Sequence, residues 1–102
     1  MGCSWSRINN LQVNGQDPDI IFVMMGGNDW VKSSISLGTY TSGDTLPGDS
    51  STPEDLDFKP AFALMLSRIK NTYPSSLVVC INEPRVTNDT VTGHDWDEWM
   101  YA

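Results

Sequence analysis

The hydrophobic positions of the chain form two short continuous runs separated by one periodic stretch. The runs span residues 20–25 and 77–81, and continuous rather than alternating apolar residues are typical of parallel strands covered on both faces. Between them, apolar residues recur at intervals of three and four, as on one face of a helix: Phe58, Phe62, Met65, Leu66, Ile69 and Tyr73. The order strand, helix, strand predicts a right-handed βαβ unit.

Residues with known positional preferences bound the predicted helix. Asp57 stands where a helix cap is expected, and Pro60 then falls in the first turn, where its missing N–H costs little. Arg68 and Lys70 lie near the other end, where positive charge favours the helix dipole. A shorter helix is predicted from about residue 7 to residue 13, ahead of the first strand.

Two stretches outside these elements predict little regular structure. Residues 31–55 are rich in Ser, Thr, Gly and Pro, and loops of such length are usually functional or mobile. In open α/β sheets the ligand crevice lies beyond the carboxyl ends of the strands, and this loop follows such an end. Residues 85–102 show no clear period, so we expect irregular structure or a short helix there. We interpret residues 1–102 as one domain.

Composition limits the classes of partner. The chain has 6 basic and 13 acidic residues, for a formal net charge of −7. This argues against nucleic acid or an anionic membrane as the main partner, because both need clustered Lys and Arg. No apolar run approaches the roughly 18 residues of a membrane span, and no signal-peptide pattern is visible. Cytoplasmic and secreted locations both stay open.

Cysteine and acidic residues give no sign of a disulfide scaffold or a metal site. Cys80 lies within an apolar run and is predicted to be a small buried residue, and a bridge to Cys3 is not expected. Asp95, Asp97 and Glu98 match no calcium-loop spacing and are interpreted as hydrated surface. No zinc spacing, phosphate loop or dinucleotide fingerprint is present, so we expect no cofactor and no metal.

The strongest chemical signal directly follows the first predicted strand. Gly26 and Gly27 permit a sharp turn, Asn28 carries a side-chain amide that donates two hydrogen bonds, and Asp29 follows it. Donors fixed at a strand exit beside a crevice suit the stabilisation of an oxyanion in acyl transfer. The same residue types are also typical of a turn that only ends a strand. From the residues alone both interpretations stay open.

Three segments together resemble the SGNH hydrolases, also called GDSL lipases or esterases. "PDIIFVMMGGNDW" resembles the third sequence block of that family, and "GCSWSRINNL" resembles the second. "FKPAFALMLSRIKNTYPSSLVVCI" resembles the helix, turn and strand that follow. The resemblance covers roughly residues 2–84 in the expected order. It implies an α/β fold of the three-layer flavodoxin-like type, of which this chain provides a partial unit with a parallel sheet and a crossover helix.

The resemblance also implies roles for individual residues. Asn28 matches the oxyanion-hole asparagine, and Gly2 matches the second-block glycine whose backbone N–H is another oxyanion donor. Gly26 is the first glycine of the third block, and Asp29 is implied to support the turn. Trp5 departs from the pattern, because the family commonly has a small glycine at that place. The loop over residues 31–55 is implied to border the active site.

The serine and histidine blocks of the family find no match. The family's Gly-Asp-Ser block precedes the second block, with which this chain starts. The letters Gly-Asp-Ser recur at 48–50, but no apolar run precedes them, so Ser50 is expected to be a loop residue. His94, the only histidine, follows Val91 where the family has Asp three residues earlier, and is expected to be solvated. A rearranged site within this chain would have to use Ser50 and His94.

Two functions follow from this sequence. The first is a fragment or truncated form of an ester hydrolase, which supplies the oxyanion-hole half of the site and is inactive alone. Its substrate would be a small acyl ester or an acetylated sugar. The second is a non-catalytic module that binds carbohydrate or a protein partner. Because two strands and one long helix make a small core, we expect a homo-oligomer or further segments to complete the sheet.

Overall fold

A computed structural model of the chain describes residues 4–25, 35–48, 56–82, 90–91 and 94–95. The helices and strands within these ranges follow in this order: α1 (Trp5–Asn9), β1 (Ile20–Val23), α2 (Phe58–Thr72), β2 (Leu77–Cys80), β3 (Thr90–Val91) and β4 (His94–Asp95). The two strands and the long helix that the apolar pattern predicts are therefore confirmed, with slightly shorter bounds.

Strands β1 and β2 form a parallel pair. Ile20 lies opposite Leu77, and Val23 lies opposite Cys80. The N–H of Ile81 donates to the carbonyl of Val23 at 2.8 Å, which continues the ladder beyond β2. Because α2 connects the end of β1 to the start of β2, the βαβ arrangement is confirmed, whereas its right-handed sense stays a prediction.

One face of this sheet packs against both helices. Ile21 and Val23 of β1 are buried in a cluster with residues of the helices and the turn after α2: Ile8, Met65, Ile69 and Tyr73. On the other face, Ile20 and Phe22 are 50% and 66% exposed. The prediction that β1 is covered on both faces is therefore wrong for the described residues. A continuous apolar run shows that both faces of the strand carry apolar side chains, and does not identify what covers them.

The first turn of α2 is capped by backbone carbonyls rather than by a side chain. Asp57 occupies the N-cap position, as predicted, but its side chain makes no capping hydrogen bond. Instead, the N–H groups of Phe58 and Lys59 donate to the carbonyls of Ser36 and Leu37, both at 2.9 Å. A segment of the long loop therefore lies against the start of α2.

The two basic residues near the end of α2 differ in their surroundings. The ammonium of Lys70 donates to the carbonyl of Ser76 at 2.8 Å and so joins the helix to the turn that follows. Arg68 is only 3% exposed, so the charge that the sequence assigned to the helix dipole is buried. Pro60 lies in the first turn of α2, as predicted.

Helix α1 is displaced towards the amino terminus from its predicted place. It begins at Trp5 and ends at Asn9. Shortly after it, Val13 and Gln16 exchange backbone hydrogen bonds of 3.0 and 3.1 Å. Between them, Asn14 and Gly15 have φ values of 53° and 75°, which is the backbone of a two-residue hairpin turn. The helix therefore ends early because the Asn-Gly pair forms a turn.

Two further segments complete the described fold. Residues 35–48 contain neither helix nor strand. Within them Gly38 has a φ of 71°, and a Cβ at this position would lie 2.4 Å from the Cβ of Asp57, so only glycine fits. In the tail, β3 and β4 form a short antiparallel pair, where the sequence predicted irregular or helical structure. The remainder of the tail lies outside the described residues.

Candidate functional site

The carboxyl ends of β1 and β2 lie at the end of the sheet where the sequence predicts chemistry. Val23 and Cys80 are the last residues of the paired strands. After Val23, the side chains of Met24 and Met25 are 55% and 43% exposed. The chain therefore leaves β1 at an open end of the sheet, directly before Gly26.

Most of the predicted site residues lie outside the described residues: Gly2, Gly26, Asn28, Asp29 and Ser50. Their roles in oxyanion stabilisation, in turn support and as an alternative nucleophile stay predictions. His94 lies on β4, where its backbone is paired with that of Val91 of β3. The described residues thus define the framework around the predicted site rather than the site itself.

Two contacts define the direction of α1 relative to α2. The guanidinium carbon of Arg68 lies 4.8 Å from the centroid of the Trp5 ring. The hydroxyl of Tyr73 donates to the carbonyl of Ile8 at 2.6 Å. Because Trp5 precedes Ile8 and Arg68 precedes Tyr73, the two helices run in the same direction.

The direction of the helices determines which of their ends lies near the carboxyl end of the sheet. Helix α2 returns from the carboxyl end of β1 to the amino end of β2, so it runs antiparallel to both strands. Helix α1 shares this direction and therefore also begins towards the carboxyl end. The chain consequently enters α1 and leaves β1 on the same side of the molecule. The segment 35–48, which caps α2, reaches this side as well.

Trp5, the departure from the family pattern, packs against a buried charge. The Trp5 side chain is 39% exposed and its ring lies over the guanidinium of Arg68. A cation on an aromatic face is attracted by the ring quadrupole, more strongly where water is excluded. This contact attaches the first residue of α1, which is close in sequence to Gly2, to the second half of α2.

The sequence analysis did not identify the buried contact of Arg68, because it considered the charge of this residue and not its position on the face of α2. Arg68 follows Met65 by three residues and precedes Tyr73 by five. It therefore falls within the apolar stripe of α2, next to Ile69. A charged residue on the apolar face of a helix indicates that another group contacts the charge, since unpaired charges are almost never buried.

Cys80 corrects another prediction. The sequence predicted a buried thiol, whereas the structure shows Cys80 exposed and without a disulfide. Its apolar neighbours Val78 and Val79 are both partly buried.

The described residues show neither a metal centre nor a membrane span. Within these ranges, no three His, Cys, Asp or Glu side chains are grouped so that they could hold a metal ion. None of the helices described above is long and apolar enough to cross a membrane.

The parallel strand pair with helices on one face is consistent with a partial α/β fold. Comparison with protein families gives the particular family. The model of the GDSL-like lipase/acylhydrolase family matches residues 3–96, which is nearly the whole chain. The chain belongs to this hydrolase family, as the sequence resemblance predicted. Comparisons with curated proteins and with solved structures gave no significant match.

Proposed function

We propose that this chain is the oxyanion-hole part of an ester hydrolase that uses a serine nucleophile. The observation that carries the proposal is the family match over residues 3–96, which includes Asn28 together with both flanking segments. The substrate is a small carboxylic ester, either an acyl ester or an acetylated carbohydrate.

In the proposed mechanism, a serine hydroxyl oxygen attacks the ester carbonyl carbon while a histidine accepts the hydroxyl proton. Negative charge then develops on the carbonyl oxygen, and the side-chain amide of Asn28 and the backbone N–H of Gly2 donate hydrogen bonds to it. The alcohol leaves with the proton that the histidine returns. Water then hydrolyses the acyl-enzyme and regenerates the serine.

The anchoring of the neighbouring elements supports the pairing of Gly2 with Asn28. Gly2 precedes Ser4, the N-cap residue of α1, and this helix start is attached to α2 through Trp5. Asn28 follows β1, whose last residue is hydrogen-bonded to the neighbouring strand. Both predicted donors are thus close in sequence to residues that these contacts hold in place. In this proposal Gly26 permits the turn out of β1 and Asp29 supports it.

The proposal assigns the serine and the histidine to no residue of this chain. Ser50 follows a Gly-Asp pair, but no apolar run precedes it. His94 is paired through its backbone with Val91, which stands where the family's base motif has an aspartate. Without a nucleophile and a base the rate of such an enzyme falls by up to about a millionfold. The chain alone is therefore proposed not to turn over esters.

Hydrolysis of p-nitrophenyl acetate tests the proposal. The 102-residue chain and a version extended upstream in its genomic reading frame are assayed side by side. Turnover is expected from the extended version only. In that version Asn28→Ala should lower kcat by about 10²–10³ with little change in KM, because the amide acts mainly on the transition state. Asn10→Ala, at an exposed asparagine after α1, is the matched control and should leave kcat unchanged.

One result contradicts the proposal directly. If the 102-residue chain hydrolyses the ester and Ser50→Ala or His94→Ala abolishes the reaction, the nucleophile or base lies within this chain and the site is rearranged. Equal rates for the Asn28→Ala and unsubstituted enzymes would remove the oxyanion role of Asn28.

A binding role is the second candidate function. The observation that favours it is Val91 in the place of the aspartate before His94, because this removes the family's means of orienting the base. Neither version then turns over esters, and a serine-directed phosphonate leaves both unlabelled. An acetylated oligosaccharide should bind instead, and Asn28→Ala should weaken its affinity in a calorimetric titration.

A further inference from the structure

The two-residue turn between α1 and β1 contains Asn14, the only asparagine of the chain that glycine follows. Two backbone hydrogen bonds between Val13 and Gln16 close this turn, at 3.0 and 3.1 Å. Residues 12–17 are all exposed, so no neighbouring element covers the turn. The fold therefore presents one Asn-Gly bond to solvent.

The two groups that can react with each other at this bond are both available. Among the described residues, neither the side-chain amide of Asn14 nor the backbone N–H of Gly15 makes a hydrogen bond. A Cβ at Gly15 would have no other atom within 4 Å, and glycine itself has none. The nitrogen of Gly15 is therefore neither engaged nor shielded by a side chain, and the carbonyl carbon of the Asn14 amide is the nearest electrophile in the sequence.

We propose that Asn14 is a site of spontaneous deamidation, with the backbone nitrogen of Gly15 as the nucleophile. This nitrogen loses its proton and attacks Cγ of Asn14. A bond from the nitrogen to Cγ forms, the bond from Cγ to Nδ2 breaks, and Nδ2 leaves as ammonia with the proton. The product is a five-membered succinimide. The reaction involves no oxidation or reduction, and the proposal is independent of the ester-hydrolase function.

Water then opens the succinimide at either of its two carbonyl carbons. Attack at Cγ gives aspartate with the ordinary main chain. Attack at the former main-chain carbonyl gives isoaspartate, whose main chain runs through Cβ and Cγ and is longer by one carbon. Either product replaces a neutral amide by a carboxylate, which takes the formal net charge from −7 to −8.

Isoaspartate is incompatible with the observed turn. A two-residue loop fixes the register of the residues that flank it, so an additional main-chain carbon separates Val13 from Gln16. The same segment leads into β1, where the carbonyl of Asp19 accepts from the N–H of Leu77 at 2.9 Å. Isoaspartate should therefore loosen the amino end of the sheet. Aspartate should keep the turn, because it tolerates a positive φ as asparagine does.

Peptide mapping by mass spectrometry tests the proposal on the 102-residue chain. After incubation of the folded protein in mildly alkaline buffer, Asn14 should be the first asparagine converted, with isoaspartate in excess over aspartate. The rate should rise with pH, because the deprotonated nitrogen of Gly15 attacks. Asn10 is the internal control, since it is also exposed but precedes Leu11. It should react at least about tenfold more slowly, because the Cβ of leucine hinders the approach that glycine permits.

Two variants separate the modification from its effect on the fold. Asn14→Gly keeps a sequence that the turn accepts but has no amide to lose. An isoaspartyl-specific methyltransferase should therefore methylate the incubated unsubstituted chain and leave incubated Asn14→Gly unlabelled. Asn14→Asp carries the charge of the products on an ordinary main chain. The more acidic fraction that ion exchange isolates after incubation should unfold at a lower urea concentration than Asn14→Asp.

The proposal is overturned if Asn14 and Asn10 react to the same extent, or if incubated Asn14→Gly accepts as much methyl as the unsubstituted chain. It is also overturned if Asn14 reacts only in the presence of urea, because the folded turn then protects it. Equal unfolding midpoints for the acidic fraction and Asn14→Asp would overturn the inferred effect of isoaspartate on the sheet.

Discussion

The two ends of the β1–β2 sheet differ in how completely their polar groups are engaged. At the amino end, three hydrogen bonds connect the helices, the strands and the turns before them: Tyr73 to Ile8, Ser76 to Pro18, and Leu77 to Asp19. At the carboxyl end, Met25 and Cys80 are exposed, and the strands are joined through Ile81 and Val23. Among the described residues, specific contacts close the amino end of the sheet, whereas side chains at the carboxyl end are exposed.

The residues expected to determine stability therefore lie at the amino end of the sheet, and the predicted site lies at its carboxyl end. Side chains at the amino end are constrained by burial, so substitutions there should act on the free energy of unfolding. At the carboxyl end, the described residues Met24, Met25 and Cys80 are exposed, and low burial is typical of regions that bind ligands. In an open α/β sheet the ligand site lies at that end. Substitutions at the two ends should therefore differ in stability effect by several kcal/mol, which the following variants measure.

The largest effect is expected at Tyr73. Its side chain is 1% exposed, so Tyr73→Ala leaves a cavity and should lower the free energy of unfolding by about 3–5 kcal/mol. Tyr73→Phe removes only the hydroxyl and should cost about 1 kcal/mol, because the carbonyl of Ile8 also accepts from the N–H of Leu11 at 3.2 Å. Urea unfolding followed by tryptophan fluorescence measures both. Equal losses for the two variants would contradict a role in packing.

A smaller loss is expected at Gly38, where the loop meets α2. An alanine there combines a φ of 71° with a contact of 2.4 Å to the Cβ of Asp57, so Gly38→Ala should cost about 2–4 kcal/mol. Gly15→Ala is the matched control, with a φ of 75° and no atom within 4 Å. It should cost only about 1–2 kcal/mol. If both substitutions lower the free energy of unfolding by the same amount, the contact with Asp57 does not contribute to the loss at Gly38.

The contact between Trp5 and Arg68 should have a measurable but modest coupling energy. A double-mutant cycle of Trp5→Leu and Arg68→Met is expected to give about 1 kcal/mol, because the guanidinium lies over the ring and is shielded from water. Arg7→Met replaces an exposed arginine of α1 and is the control. Its coupling to Trp5→Leu should be near zero. Similar coupling for both arginines would contradict a specific contact.

The smallest effect is expected at Cys80. Because its side chain is exposed and unpaired with another cysteine, Cys80→Ser should change the free energy of unfolding by less than about 0.5 kcal/mol. In a Cys3→Ser background, a thiol reagent should label Cys80 in the folded protein without denaturant. Labelling that occurs only after unfolding would show that the carboxyl end is covered.

The regular elements were predictable because their signals are local. The stripe that contains Met65 and Ile69 predicts α2, and the apolar run at Ile20 predicts β1, since each pattern repeats within a few residues. The end of α1 was not predicted, because the turn at Asn14 and Gly15 competes with the helix over the same residues. A prediction from local periodicity does not account for this competition between a turn and a helix.

Features that depend on distant partners were not predictable in the same way. The capping of α2 by Ser36 and Leu37 uses backbone carbonyls, which every residue type has, so no residue pattern identifies it. Arg68 contacts Trp5, which belongs to another helix. For the candidate site, the resemblance predicts Asn28 and Gly2, while the structure describes only the elements that precede and follow them. The relative placement of these two residues therefore remains part of the proposed function.

The capping of α2 by the loop has a consequence for motion. Two N–H groups in the first turn of α2, those of Phe58 and Lys59, donate to the carbonyls of Ser36 and Leu37. Movement of Ser36 and Leu37 away from α2 would therefore break these hydrogen bonds and fray the first turn of the helix. Detachment of the loop and fraying of the helix thus have the same free-energy cost. Hydrogen exchange at the amides of Phe58 and Lys59 consequently reports how often the loop detaches.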